Sequence, residues 1–82
     1  MSIEEIKSLI ESGIETSYLN VIGDGTHFEA VIVSSEFENR ILIDRHKLVY
    51  KALGDAMVED IHAISLKTYT PDQWQNLQQK GA

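Results

Sequence analysis

Three histidines, a serine pair and two alternating glutamates are the side chains of this chain best suited to chemistry. His27, His46 and His62 lie far apart along the sequence. No two have the i, i+4 spacing of a helical metal pair, and no His-Glu-x-x-His motif occurs. There is no cysteine, which excludes disulfides, zinc–thiolate sites, a self-contained iron–sulfur site and a cysteine nucleophile. Ser34-Ser35 has no evident base partner, and Glu36 and Glu38 alternate without any other acid or base feature. Gly23-Asp24-Gly25 reads as a turn, since a lone Gly-x-Gly does not make a phosphate-binding loop. No catalytic constellation emerges, so a non-enzymatic role is expected.

Each histidine has an ordinary reading beside a functional one. His27 leaves the Gly-Asp-Gly turn just before Phe28. It is either an exposed strand-start residue or a solvent-facing metal ligand on an adaptable loop. His62 opens a strand with the parity of Ile64 and Leu66. It is either a partly buried, hydrogen-bonded residue or a ligand at a sheet edge, where neutral imidazole suits iron, zinc or copper. Arg45, beside His46, falls within the apolar arc of Ile41, Val49 and Ala52. A charge there is costly unless paired or near the helix end. Either its stem lies along the core in the first helical turn, or it is held for a partner carboxylate or phosphate.

These residues are positioned by elements legible in the pattern. Ser2 caps a first helix with Glu5 as capping-box partner, and Ile3, Ile6, Leu9 and Ile10 form its apolar stripe up to Gly13. Thr16 to Ile22 and His27 to Val33 read as strands joined by Gly23-Asp24-Gly25-Thr26, a hairpin. Phe28, Ala30 and Ile32 share one face of the second strand. Residues 34–39 form a loop in which Asn39 takes the left-handed conformation. Ile41 to Leu53 is helical. Arg40, Asp44, Lys47 and Lys51 share its solvent face, and Ile41, Leu42, Leu48, Val49, Ala52 and Leu53 the opposite one. Gly54 ends it, and Asp55 to Asp60 reads as a further short helix. Ile61 to Tyr69 is a third strand. Thr70-Pro71-Asp72-Gln73 then opens a last helix, docked by Trp74 and Leu77 and frayed from Gln78. A strand following a helical pair enters by a right-handed crossover. The order α-β-β-α-α-β-α therefore predicts an α+β domain: a three-stranded mixed sheet with helices on one face.

Composition limits the classes further. The chain has 82 residues, 43% hydrophobic and 24% charged, which suits one small domain over residues 1–82. No apolar run approaches the ~20 residues of a membrane span. The acidic, amphipathic start does not read as a signal peptide, so a cytoplasmic protein is expected. The net charge of −6 argues against binding nucleic acid or acidic lipid over the whole surface. The charge is uneven, however. Arg40, Arg45, Lys47 and Lys51 cluster against Asp44 alone, and with His46 they form a candidate partner or nucleic-acid surface.

Five segments in order resemble the BolA family: Gly23-Asp24-Gly25-Thr26-His27-Phe28, Val33-Ser34-Ser35-Glu36-Phe37-Glu38, Arg45-His46-Lys47-Leu48-Val49-Tyr50, Ile61-His62-Ala63-Ile64-Ser65-Leu66-Lys67-Thr68 and Thr70-Pro71-Asp72-Gln73-Trp74. The likeness covers about residues 3 to 77. The hairpin turn looks most like the acid-stress-associated bacterial branch. The resemblance implies a class II KH-like fold and partnership with a monothiol glutaredoxin through a shared 2Fe–2S cluster. In that family the histidine opening the last strand is a cluster ligand, here His62, and the hairpin loop supplies a second, here His27. Glutaredoxin and glutathione would supply the thiolates, with no cluster on the isolated chain, itself expected to be a monomer or weak homodimer. The alternative the resemblance implies is a DNA-binding transcriptional regulator of stress response. Two departures stand out: Asn39 replaces the family's usual glycine, and Leu53-Gly54-Asp55-Ala56-Met57 lacks the Gly-x-x-Gly clamp of RNA-binding KH modules.

Overall fold

In the computed structural model the elements are α1 (Ile3–Gly13), β1 (Tyr18–Gly23), β2 (Phe28–Val33), a 3-10 turn (Ser35–Phe37), α2 (Leu42–Leu53), β3 (Ile64–Tyr69) and α3 (Pro71–Lys80). The structure describes residues 2–24, 26–54 and 63–80. His62 and the short helix expected over Asp55–Asp60 lie outside the described residues. The sheet runs β1-β2-β3, with β1 antiparallel and β3 parallel to β2. This is the mixed α+β sheet expected from the element order, except that the helices do not all share one face: Trp74 of α3 packs on the face opposite α1 and α2.

The caps form as the sequence dictates. Ser2 Oγ accepts from Glu5 N (3.1 Å) while Ser2 N donates to Glu5 Oε1 (3.2 Å). Thr70 Oγ1 accepts from Gln73 N (3.2 Å) while Thr70 N donates to Gln73 Oε1 (2.9 Å). Each pair satisfies a helix-start amide that the helix itself leaves unbonded. Asn39 sits at φ 61° and Gly54 at φ 64°, both left-handed. Ser34 is fully buried, and its hydroxyl is committed to structure. It donates to Glu15 O (2.6 Å) and accepts from Glu36 N (3.0 Å).

Strand alternation sends Val21, Ala30 and Leu66 to one face, with Leu19, Ile32 and Thr68 on the neighbouring rung. Ile6 and Ile10 of α1 and Val49 and Leu53 of α2 close over that face, with Phe37 of the 3-10 turn completing the core. The helices meet tightly at their C-terminal ends. A Cβ on Gly13 would lie 2.6 Å from the Ala52 Cβ. The other face carries a row of Tyr18, Val33 and Tyr69. Trp74 of α3 stacks on Tyr18 (4.9 Å between ring centroids) and leans on Tyr69 (5.5 Å). The indole thus spans the middle residue of the row, and Val33 is 1% exposed although it lies outside the main core.

Two expectations need correction. Ile41 and Leu42 do not join the buried face of α2; they are 67% and 60% exposed. The reason is where α1 ends: Gly13 abuts Ala52, so α1 covers the C-terminal half of α2 and leaves its first turn bare. Leu77 does not dock α3 either, being 46% exposed, because Trp74 alone reaches the tyrosine row.

Candidate functional site

The hairpin end holds the first candidate. Asp24 Oδ1 accepts from His27 N (2.8 Å), Thr26 N (2.9 Å) and Thr26 Oγ1 (3.0 Å), and Asp24 N donates to His27 O (3.1 Å). An aspartate folded back on its own turn in this way replaces a backbone turn bond. Gly23 is needed beside it, since a Cβ there would fall 2.5 Å from the Phe28 Cδ1. His27 is exposed on this pinned backbone, at the rim of a cavity of about 350 Å³ that also meets Phe28 and Ser65. Phe28 pairs with Ile64, so His27 stands at the same end of the sheet at which β3 begins. His62 precedes Ile64 by two residues in the sequence. Among the described residues no three histidines or carboxylates converge on a metal-sized site.

The turn's hydrogen bonds carry a pH signature. The His27 amide, then the Thr26 amide and hydroxyl, hold the exposed Asp24 carboxyl down from the ordinary 3.8 to about 2. A depressed folded pKa contributes order above the unfolded value, and that order is lost as pH falls through the folded one. The Thr26 and His27 amide resonances should therefore titrate together near pH 2, with the turn intact at pH 4. A shared midpoint near 3.8, or unchanged shifts, would contradict the pinned turn.

The second candidate lies at the opposite end of the sheet. The start of α2, the end of β3 and the inner side of α3 enclose a groove of about 560 Å³ bounded by Arg40, Leu42, Arg45, Tyr69, Gln73 and Leu77, among others. Arg45 is held across it. Its Nε donates to Arg40 O (3.0 Å), and its Nη1 donates to Gln73 Oε1 (2.8 Å) and Thr68 O (3.4 Å). Its guanidinium lies 5.9 Å from the centre of the Phe37 ring. Both readings of Arg45 thus have a physical basis: its stem lies against the core, and its head is fixed at a surface groove.

The basic set named from the sequence divides in space. Arg40 and Arg45 border the groove, and Lys47 and Lys51 point to solvent from α2. His46 turns inward instead, edge-on to Tyr50 (6.4 Å between ring centroids), its Nε2 buried and without a hydrogen-bond partner among the described residues. The groove's apolar members, Leu42, Tyr69 and Leu77, escaped the sequence reading. One signal was available. Ile41-Leu42-Ile43 are three successive apolar residues at ~100° per residue, too wide an arc for one buried stripe.

A small mixed sheet of this order, with a histidine-bearing hairpin turn beside the start of a parallel third strand, defines a narrow class of α+β domain. Residues 9–73 match the family described as BolA-like protein, and the chain belongs to that family. A bolA protein homologue from Coxiella burnetii superposes with a TM-score of 0.78 at 49% identity, covering 92% of this chain and 97% of that one. The acid stress protein IbaG of Escherichia coli (strain K12) is 32% identical over 75 residues, 90% of this chain and 89% of its own length. The DNA-binding transcriptional regulator BolA of the same strain is 28% identical over 85 residues, covering 92% and 81%.

Proposed function

We propose that this protein is a non-enzymatic partner of a monothiol glutaredoxin that co-binds a 2Fe–2S cluster in iron–sulfur assembly, trafficking or sensing. The observation that carries the reading is His27. It is an exposed imidazole on a turn pinned by Asp24, at the end of the sheet where β3 starts. With His62 it would offer nitrogen ligands, while glutaredoxin and glutathione offer sulfur. The donor chemistry fits, because a chain without cysteine cannot hold such a cluster alone but can complete one that a partner brings. Imidazole in place of thiolate raises a cluster's potential and makes its retention proton-sensitive. No described helix is long and apolar enough to cross a membrane, and the cytoplasm is the compartment we assign.

The second reading is a DNA-binding regulator. It draws on the relative so named and on the exposed Arg40, Lys47 and Lys51. The net charge of −6 weighs against it. One experiment separates the two. Cluster-loaded monothiol glutaredoxin is titrated with the protein and followed by visible absorption and circular dichroism. Duplex DNA is tested in parallel by gel shift across a salt series. A changed cluster spectrum is expected. An unchanged spectrum with DNA binding that falls steeply with salt would favour the regulator.

A further inference from the structure

Leu42 of α2 and Leu77 of α3 line the groove at the far end of the sheet while 60% and 46% exposed, and Ile41 and Ile43, the chain neighbours of Leu42, are 67% and 59% exposed. Single exposed leucines are ordinary, but a contiguous apolar group rimmed by polar residues marks a contact surface. Of the described side chains bounding the groove two are arginines and none is a carboxylate, in a chain of net charge −6. Arg45 adds direction. Nε and Nη1 have partners in Arg40, Thr68 and Gln73, which leaves the two hydrogens of Nη2 without a partner among the described residues. A guanidinium already fixed by its other edge loses little further freedom on binding an anion.

We propose that this groove docks an acidic, apolar segment of a protein partner. A carboxylate would meet Arg45 Nη2 and Arg40, and neighbouring apolar side chains would meet Leu42 and Leu77. A phosphodiester strand would satisfy the arginines but leave both leucines uncovered. The groove borders the Val33–Tyr69 end of the sheet, whereas His27 adjoins the Phe28–Ile64 end. Five strand steps, roughly 17 Å, separate the two. This surface is therefore independent of the cluster reading, and a groove variant should leave the cluster spectrum unchanged.

A random dodecapeptide library displayed on phage, selected on the protein and counter-selected on a Leu42→Ser/Arg40→Glu variant, tests the proposal. Enriched sequences should pair Asp or Glu with Leu, Ile or Phe. Synthesised with a fluorophore, they should lose at least tenfold in affinity to each of Leu42→Ser, Leu77→Ser and Arg40→Glu. These side chains are exposed, so far-ultraviolet circular dichroism should confirm intact folds. Enrichment without an acidic preference, no enrichment, or affinity indifferent to all three substitutions would overturn it. So would displacement of the peptide by duplex DNA. A dimer in sedimentation that Leu42→Ser abolishes would also overturn it, by assigning the groove to a second copy of the chain.

Discussion

His62→Ala should erase the heterodimer's cluster signature, so that cluster-loaded glutaredoxin shows the same visible circular dichroism with the variant as without it. His27→Ala should reduce that signature and speed loss of the cluster to a chelator. The His27 variant is the cleaner test of chemistry against folding. Its imidazole is exposed and makes no side-chain hydrogen bond among the described residues, so thermal stability should change by no more than about 0.5 kcal/mol. A wild-type spectrum from His62→Ala would remove the ligand assignment altogether. Lowering the pH should weaken the wild-type cluster signal before it unfolds the protein, because a ligating imidazole must be unprotonated.

Phe37→Ala should cost about 3–5 kcal/mol, the usual range for deleting a fully buried phenyl ring. Phe37 is wholly buried and joins the packing of α1, α2 and the sheet. A domain of this length has on the order of 4–12 kcal/mol of total stability, so one substitution removes a large part of it. The melting temperature should fall by roughly 15–30 °C, read by circular dichroism or calorimetry. Phe37→Leu, which keeps most of the volume, should lose well under half as much. A loss below about 1 kcal/mol in Phe37→Ala would mean that the 3-10 turn does not seat this ring in the core.

Local chemistry was legible because it depends on near neighbours. The two capping boxes, the turn at Asp24, the positive φ of Asn39 and the end of α2 at Gly54 each follow from side-chain and backbone options within a few residues. The parallel entry of β3 followed from the connection, since a strand reached through a long helical segment crosses over to pair parallel, whereas a short turn makes an antiparallel hairpin. The family resemblance rested on the same short segments and agrees with the match over residues 9–73.

By itself the sequence determined the order of helices and strands and which side chains share a face, although β1 runs Tyr18–Gly23 rather than from Thr16 and a 3-10 turn, Ser35–Phe37, forms within the expected loop. Only the tertiary structure decided which shared faces are covered. α1 ends against Ala52, so Ile41 and Leu42 remain bare although the wheel places them with Val49 and Leu53. Trp74 bridges Tyr18 and Tyr69, residues distant in sequence that the register sets two strands apart, and Leu77 is left outside. Arg45 finds its acceptors on Arg40, Thr68 and Gln73. The physical reason is common to all three. Periodicity is a property of one segment, whereas burial and hydrogen-bond satisfaction depend on what distant segments bring to it.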